Sequence, residues 1–351
     1  MMEKYQNIAA MLTEAKTFKM MPRPLGDLGD SDVLIEIKHV GICGSDVSVF
    51  EDPTIGGMFN DLPLPILLGH ECGGIIKEVG KKVKDLKPGD AVAVEPGVPC
   101  GKCEACMSGN YNLCDDVLFM AAPPWQTGAL CKYIIHPRQW VFKLPDNLTT
   151  LEGALMEPFC VGMKAAMQGQ INACKSVVIL GGGCIGMMTA LACRANGVSN
   201  ITIVDLFDSH LQIAQRMGFT KLVNSSKGDL VQKVLDTNDG QKLDVVFETA
   251  GSPVTAALTP DLCKRGGTIV LVGNIHKKVD FNFWNISFNQ ITVKTVFRYN
   301  NLYPACIQTA SAGQASLKDI GIRIFPFERT QEAFECALTD KINTLKVVVS
   351  M

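Results

Sequence analysis

Apolar and polar positions divide this chain into two textures. Over residues 31–49 (SDVLIEIKHVGICGSDVSV) and 71–95, apolar residues alternate with polar ones in short runs cut by glycine and Pro-Gly turns. The turn Lys87-Pro88-Gly89-Asp90 ahead of Ala91-Val92-Ala93-Val94 is one instance. That pattern predicts short strands with long loops, as in a β-barrel or sandwich. From about residue 156 the pattern changes to strand, glycine turn and helix. Residues 176–180, 200–204, 244–248 and 268–272 read as strands, and 184–196 and 209–217 as helices. Strands alternating with helices predict a doubly wound parallel sheet. The strand at 291–297 and the short elements after it depart from that alternation.

Composition narrows the function classes. At 351 residues the chain has room for two domains with full cores. A formal net charge of -2 and the absence of Lys/Arg runs longer than two exclude nucleic acid as the expected partner. The first sixteen residues lack an apolar signal core, and no stretch reaches the roughly 18 apolar residues of a bilayer span. A cytoplasmic protein without a membrane partner is expected. Of the 14 cysteines, four crowd into residues 100–114, and most of the others sit in apolar runs as small hydrophobes.

Val177-Val178-Ile179-Leu180 runs into Gly181-Gly182-Gly183-Cys184-Ile185-Gly186, which opens a helix, and Asp205 ends the next strand. A GxGxxG is weak alone, but strand, glycine turn, helix and downstream acid together form the dinucleotide fingerprint. Gly181 serves the tight turn, Gly183 the approach to the pyrophosphate and Gly186 the packing of helix on strand. The helix N-terminus faces the phosphates. Asp205 is expected to bond the adenosine ribose hydroxyls and to repel a 2′-phosphate, which favours NAD over NADP.

Cys100, Cys103, Cys106 and Cys114 follow C-x2-C-x2-C-x7-C in a loop with Pro99, Gly101 and Gly109. Four such thiolates suit a closed tetrahedral Zn²⁺ site, with an iron–sulfur cluster as the rival. Cys43, in Gly41-Ile42-Cys43-Gly44-Ser45-Asp46, and Gly69-His70-Glu71 are the mixed ligand types that an open, catalytic zinc uses. By themselves they are a weak signal, with a satisfied core histidine as the rival, and the glycines around them favour the metal.

Gly69-His70-Glu71-x2-Gly74-x5-Gly80-x2-Val83, with the cysteine loop and the glycine turn in this order, resembles the zinc-containing medium-chain alcohol dehydrogenases. Within that family the polyol branch is the nearest resemblance, on Phe119-Met120-Ala121-Ala122-Pro123-Pro124, Glu152-Gly153-Ala154-Leu155-Met156-Glu157-Pro158 and Phe297-Arg298-Tyr299. The resemblance implies an α/β chain: a GroES-like, β-rich catalytic domain over 1–156 and 293–351, with a Rossmann NAD-binding domain over 157–292. It implies one catalytic Zn²⁺ on Cys43 and His70, with Glu71 or Glu157 completing the site, and one structural Zn²⁺ on the four cysteines. Asp46 would fix the His70 ring, Ser45 would handle the alcohol proton, Arg298 and Tyr299 would face substrate and nicotinamide, and Phe119 would form an apolar wall. The cofactor set it implies adds Ile185, His210, Val272, Gly273, Asn274 and Phe297 to Gly181, Gly183, Gly186 and Asp205.

The activity implied is hydride transfer between NAD and a secondary alcohol of a sorbitol- or xylitol-like polyol, giving a ketose, by a homo-oligomer that is tetrameric in relatives. Ser48 and Val49 stand where the branch usually has His and Tyr, and Lys164 stands where relatives have His. Alternative substrates for the same machinery are threonine, butanediol or a phosphorylated polyol. A dinucleotide-binding sensor without catalysis is the reading from another class.

Overall fold

The computed structural model describes residues 5–54, 64–125 and 127–351. The chain forms two compact units, Met1–Glu157 with Ile322–Met351, and Pro158–Gly321.

The first unit is built on a seven-stranded sheet. Six strands follow the order Val141–Lys143, Ala91–Val94, Glu71–Val79, Asp32–Ile42, Lys346–Ser350 and Ile322–Pro326, and Tyr133–Pro137 also pairs with Asp32–Ile42. Asp32–Ile42 is the hub. It pairs antiparallel with Glu71–Val79 on one side and Lys346–Ser350 on the other. Its inward residues Val33, Ile35, Ile37 and Val40 join Ile76, Val92, Val94 and Val347 in one apolar core. Their near-alternating spacing matches the period of two that a half-buried strand needs. Close approach is built into this sheet at Gly74, where a Cβ would stand 2.4 Å from the backbone oxygen of Glu36.

One element differs from the sequence expectation. Residues 44–51 form a helix, Gly44–Glu51, and do not extend the strand. Val47 and Val49 alternate like strand residues, yet the buried set Asp46, Val47, Val49 and Phe50 has helical spacing. Asp46 starts the helix by accepting a hydrogen bond from the Cys43 backbone N–H at 3.1 Å.

The second unit holds a six-stranded parallel sheet. Its strands run in the order Lys221–Asn224, Asn200–Asp205, Ser176–Leu180, Leu243–Glu248, Cys263–Leu271 and Thr292–Thr295. Numbered along the chain this is 3-2-1-4-5-6, the Rossmann order, which reverses direction beside Ser176–Leu180. Ligands bind such sheets at the carboxyl ends of the strands flanking that reversal. Val178, Leu180, Val204, Val246 and Ile269 fill the sheet's core.

The domain limits expected from sequence need correction at 292. Residues 293–321 belong to the second unit. Thr292–Thr295 extends the parallel sheet by pairing with Cys263–Leu271, and helix Tyr303–Ser311 sets Cys306 Sγ 3.4 Å from Cys160 Sγ. The strand's exposed positions hid this membership, because an edge strand lacks the apolar run of its buried neighbours. Glu157, placed by sequence at the start of the second domain, closes the first unit.

Candidate metal and nucleotide sites

Two strand ends and one helix start converge in the first unit. Cys43 ends the hub strand as the N-cap of Gly44–Glu51, and His70 and Glu71 sit where Glu71–Val79 begins. The ligand atoms of Cys43, His70 and Glu71 lie within 4.8 Å of one another. Of the two carboxylates left open by sequence, Glu71 shares this group; Glu157, buried in helix Thr150–Gln168, does not.

Asp46 organises the cluster from behind. Its Oδ2 accepts from Cys43 N, and its Oδ1 accepts from Gly69 N at 3.2 Å and stands 3.5 Å from His70 Nδ1. A carboxylate at Nδ1 places the proton there and leaves Nε2 as the lone-pair donor, the arrangement of a metal-binding histidine. Burial by itself would depress His70, but the Asp46 charge and then Cys43 raise it well above its ordinary value. Burial likewise pushes Asp46 up, while His70 and the N–H groups of Cys43 and Gly69 bring it below the carboxylate range. The Phe119 ring stands 5.6 Å from the His70 ring, centroid to centroid. Ser45 is exposed on the first turn of the helix.

This donor set fits zinc: a thiol, an imidazole and a carboxylate, one fewer than a closed tetrahedron requires.

The cysteine loop makes a second cluster. Cys100, Cys103, Cys106 and Cys114 bring their sulfurs within 4.8 Å of one another. Cys103 and Cys106 are 3.4 Å apart, and Cys100 and Cys106 3.9 Å. Sulfurs about 2.3 Å from a tetrahedral ion stand roughly 3.8 Å apart, so the loop fits one ion. Cysteines of an iron–sulfur cluster bind different irons and spread farther. Gly101 and Gly109 both have positive φ, at 72° and 80°, and fold the loop back on itself. Backbone N–H groups of Lys102 and Cys103 aimed at Cys100 bring its thiol down to about 6.

In the second unit the glycine turn leaves the strand Ser176–Leu180 at the sheet's reversal point. Gly181 has φ 108°, and a Cβ on Gly186 would lie 1.8 Å from Gly181 O. Gly183 faces open space: a Cβ there would meet nothing within 4 Å. That gap suits a pyrophosphate at the N-terminus of Cys184–Ala195, with Ile185 in its first turn. Asp205 Oδ2 accepts from Gly182 N at 2.7 Å and Oδ1 from Phe207 N at 2.9 Å. His210 Nδ1 stands 3.2 Å from Asp205 Oδ1. Burial raises Asp205, but His210 and these N–H groups bring it below its usual range. Val272 and Gly273 follow the fifth strand, their N–H groups bonded to Glu248 O; Asn274 is exposed beyond them. Arg298, with φ 54°, holds its guanidinium 4.9 Å from the half-exposed Phe297 ring, and Tyr299 is buried against Tyr303. Lys164 is not free in solvent: its Nζ donates to Asn300 Oδ1 at 2.7 Å.

Three residues of these sites escaped the sequence reading. Glu248, fully buried, accepts from the N–H groups of Ala250, Gly251 and Ser252 and from Thr255 Oγ1, fixing the loop against Gly273. Glu95, at the end of Ala91–Val94, accepts from Tyr111 Oη at 2.8 Å. Lys346 is buried in contact with Glu71. Its signal was visible as one charge inside the apolar run Leu345-Lys346-Val347-Val348-Val349.

Comparison with known proteins agrees with this architecture. Residues 29–146 match the alcohol dehydrogenase GroES-like domain and residues 184–312 the zinc-binding dehydrogenase model. Fold and family models together define a zinc-type dehydrogenase. The chain is 41% identical over 349 residues to the uncharacterized zinc-type alcohol dehydrogenase-like protein YdjJ of Escherichia coli strain K12, covering 99% of each. It is 38% identical over 342 residues to a sorbitol dehydrogenase of Bacillus subtilis, covering 97% of this chain and 96% of the relative. A crystal structure of an Escherichia coli oxidoreductase/dehydrogenase of unknown specificity, involved in membrane biogenesis, superposes with TM-score 0.94 at 40% identity, covering 99% of both chains. The chain belongs to the zinc-containing medium-chain dehydrogenase/reductase family, in its polyol dehydrogenase branch. Among the described residues no helix is long and apolar enough to cross a membrane.

Proposed function

We propose that this protein oxidises a secondary alcohol of a free polyol to a ketose, and runs the reverse reduction, with NAD as hydride carrier and zinc on Cys43, His70 and Glu71. The observation that carries the reading is the convergence of those three ligand atoms within 4.8 Å, with Asp46 holding the imidazole. The likeness to a sorbitol dehydrogenase supports the polyol class. The carboxylate of Asp205 supports NAD, because a 2′-phosphate would meet its charge.

Zinc, when bound, supplies Lewis acidity at the substrate hydroxyl, and NAD the hydride acceptor. The chain's own residues do the rest. Asp46 keeps the proton on His70 Nδ1. Ser45 hydrogen-bonds the reacting hydroxyl through Oγ and carries its proton to solvent, to which it is exposed. Phe119 keeps water from one side of the imidazole. Glu157 acts as a water partner of the metal, and Arg298 and Tyr299 as contacts of substrate and nicotinamide. The four-cysteine loop holds a second, structural zinc.

We also infer a homo-oligomeric, cytoplasmic enzyme. Exposed Phe283, Trp284 and Phe288, on the helix that precedes the edge strand Thr292–Thr295 in the chain, support self-association. Mass by light scattering tests this.

The decisive experiment is a steady-state panel of four- to six-carbon polyols and their ketoses with NAD and NADP, alongside threonine, butanediol and a phosphorylated polyol. NADH formation from a free polyol, lost in Cys43→Ala, is expected. Full turnover by Cys43→Ala sinks the reading. Preference for one of the other alcohols, which Ser48 and Val49 would allow, moves it to a sister substrate.

A further inference from the structure

A buried cation stands where a metal site would ordinarily exclude one. Glu71 opens the strand Glu71–Val79 and Lys346 opens Lys346–Ser350; these strands lie on opposite sides of Asp32–Ile42. Gly41 sits between them, paired with Glu71 on one side and Val348 on the other. Because Gly41 has no side chain, the lysine reaches across the middle strand. A Cβ at Gly41 would stand 2.1 Å from Glu71 Oε2 and 3.0 Å from Lys346 Cε. The Lys346 ammonium forms an ion pair with Glu71 Oε2 and donates to Ile42 O at 3.0 Å. No hydrogen bond of ordinary geometry reaches Glu71 Oε2, so the ammonium is the neighbour that compensates it. Both side chains are buried, Glu71 at 1% exposure and Lys346 at 4%. A charge pair this deep has a desolvation cost that an apolar pair would avoid, so its presence calls for a role beyond stability.

We propose that Lys346 is a positioning residue that shares the Glu71 carboxylate with the metal and so limits how tightly that carboxylate binds the ion. This rests on Cys43, His70 and Glu71 being the metal site. Lys346 neutralises a ligand whose charge would otherwise go wholly to the cation, and adds a positive charge near it. Both effects loosen the third ligand and leave the ion more electron-poor. Removing the ammonium therefore strengthens metal retention and draws Glu71 further into coordination.

The test loads native protein, Lys346→Met, Lys346→Arg and Lys346→Gln with Co²⁺. It reads the visible ligand-field bands and the rate of metal loss to a chelator, using Cys43→Ala to subtract the cysteine loop. Release from Lys346→Met at least about threefold slower than native, with shifted bands, is expected on removal of one charge. Lys346→Arg should match native protein, and in a Glu71→Gln background Lys346→Met should no longer move the bands. Lys346→Gln, which keeps a donor for Ile42 O, carries the same reading if Lys346→Met fails to fold. Folded variants with native bands and release rate, or with faster release, overturn the proposal; a lower melting temperature alone would mark a purely structural ion pair. If native protein and Cys43→Ala take up equal Co²⁺, the metal reading itself fails; uptake without a lysine effect overturns this inference alone.

Discussion

Asp46 Oδ1 stands 3.5 Å from His70 Nδ1, and neither side chain exceeds 8% exposure. The carboxylate also receives the N–H groups of Cys43 and Gly69, so one residue fixes the backbone on both sides of the cluster and the tautomer of the imidazole. Loss of such a partner typically weakens metal binding about 10- to 100-fold. Asp46→Ala is expected to lose zinc in that range in chelator competition. Asp46→Asn, which keeps acceptor geometry but not charge, should fall between it and native protein.

The two metal clusters should separate by variant. Cys43→Ala is expected to bind about one zinc per chain in place of two, with turnover abolished and thermal stability little changed, since the open cluster binds its ion without closing a loop. Cys103→Ser should also lose about one zinc, but with a clear fall in melting temperature, because metal binding at a closed four-cysteine site contributes directly to folding free energy. Elemental analysis with thermal melts measures both.

Two glycines three residues apart should answer oppositely to alanine. At Gly186 a Cβ would overlap Gly181 O at 1.8 Å, so Gly186→Ala is expected to cost roughly 1–3 kcal/mol in urea unfolding. At Gly183 the same group meets nothing within 4 Å. Gly183→Ala should leave stability near native and weaken only NAD binding, read by NADH fluorescence titration.

Cofactor choice should follow Asp205. Asp205→Ser removes the charge that would meet a 2′-phosphate and a partner of the ribose hydroxyls. Its ratio of kcat/KM for NAD over NADP is expected to fall at least about tenfold. An unchanged ratio would show that discrimination lies elsewhere.

Acid stability should depend on His136. Burial pushes its imidazole down to about 4, and its Nε2 meets Glu95 O at 3.0 Å. The unfolded chain binds this proton near pH 6.5 and the folded chain near 4, so the contribution is complete above about 6.5 and is lost as pH falls toward 4, ~3 kcal/mol in all. Glu95 runs the other way. Burial raises its carboxyl to about 7, opposed by the Tyr111 bond and reinforced by Glu157, so its contribution is complete below the ordinary carboxylate range and lost as pH rises to about 7. Urea melts near pH 5 and 7 should show a smaller acid loss for His136→Gln, and for Glu95→Gln a gain over native protein that grows toward pH 7.

The sequence by itself determined what depends on neighbours along the chain. The strand Ser176–Leu180, its glycine turn and Asp205 were legible because one local segment writes the whole device. The doubly wound parallel sheet followed from the alternation of strands with helices, whereas the order of its strands came only from the structure. The four cysteines were legible because their loop closes on itself. Cys43 and Glu71 could be named as partners, but only the register of two antiparallel strands put them together. Tertiary structure alone decided the helix at Gly44–Glu51, the membership of 293–321 in the second unit, and the placement of Glu71, not Glu157, in one group with Cys43 and His70. It alone brought Lys346 to Glu71, 275 residues away, through a gap left by one glycine on a third strand. Local propensity acts over a few residues, whereas burial and charge pairing are settled by whichever strands the fold lays side by side.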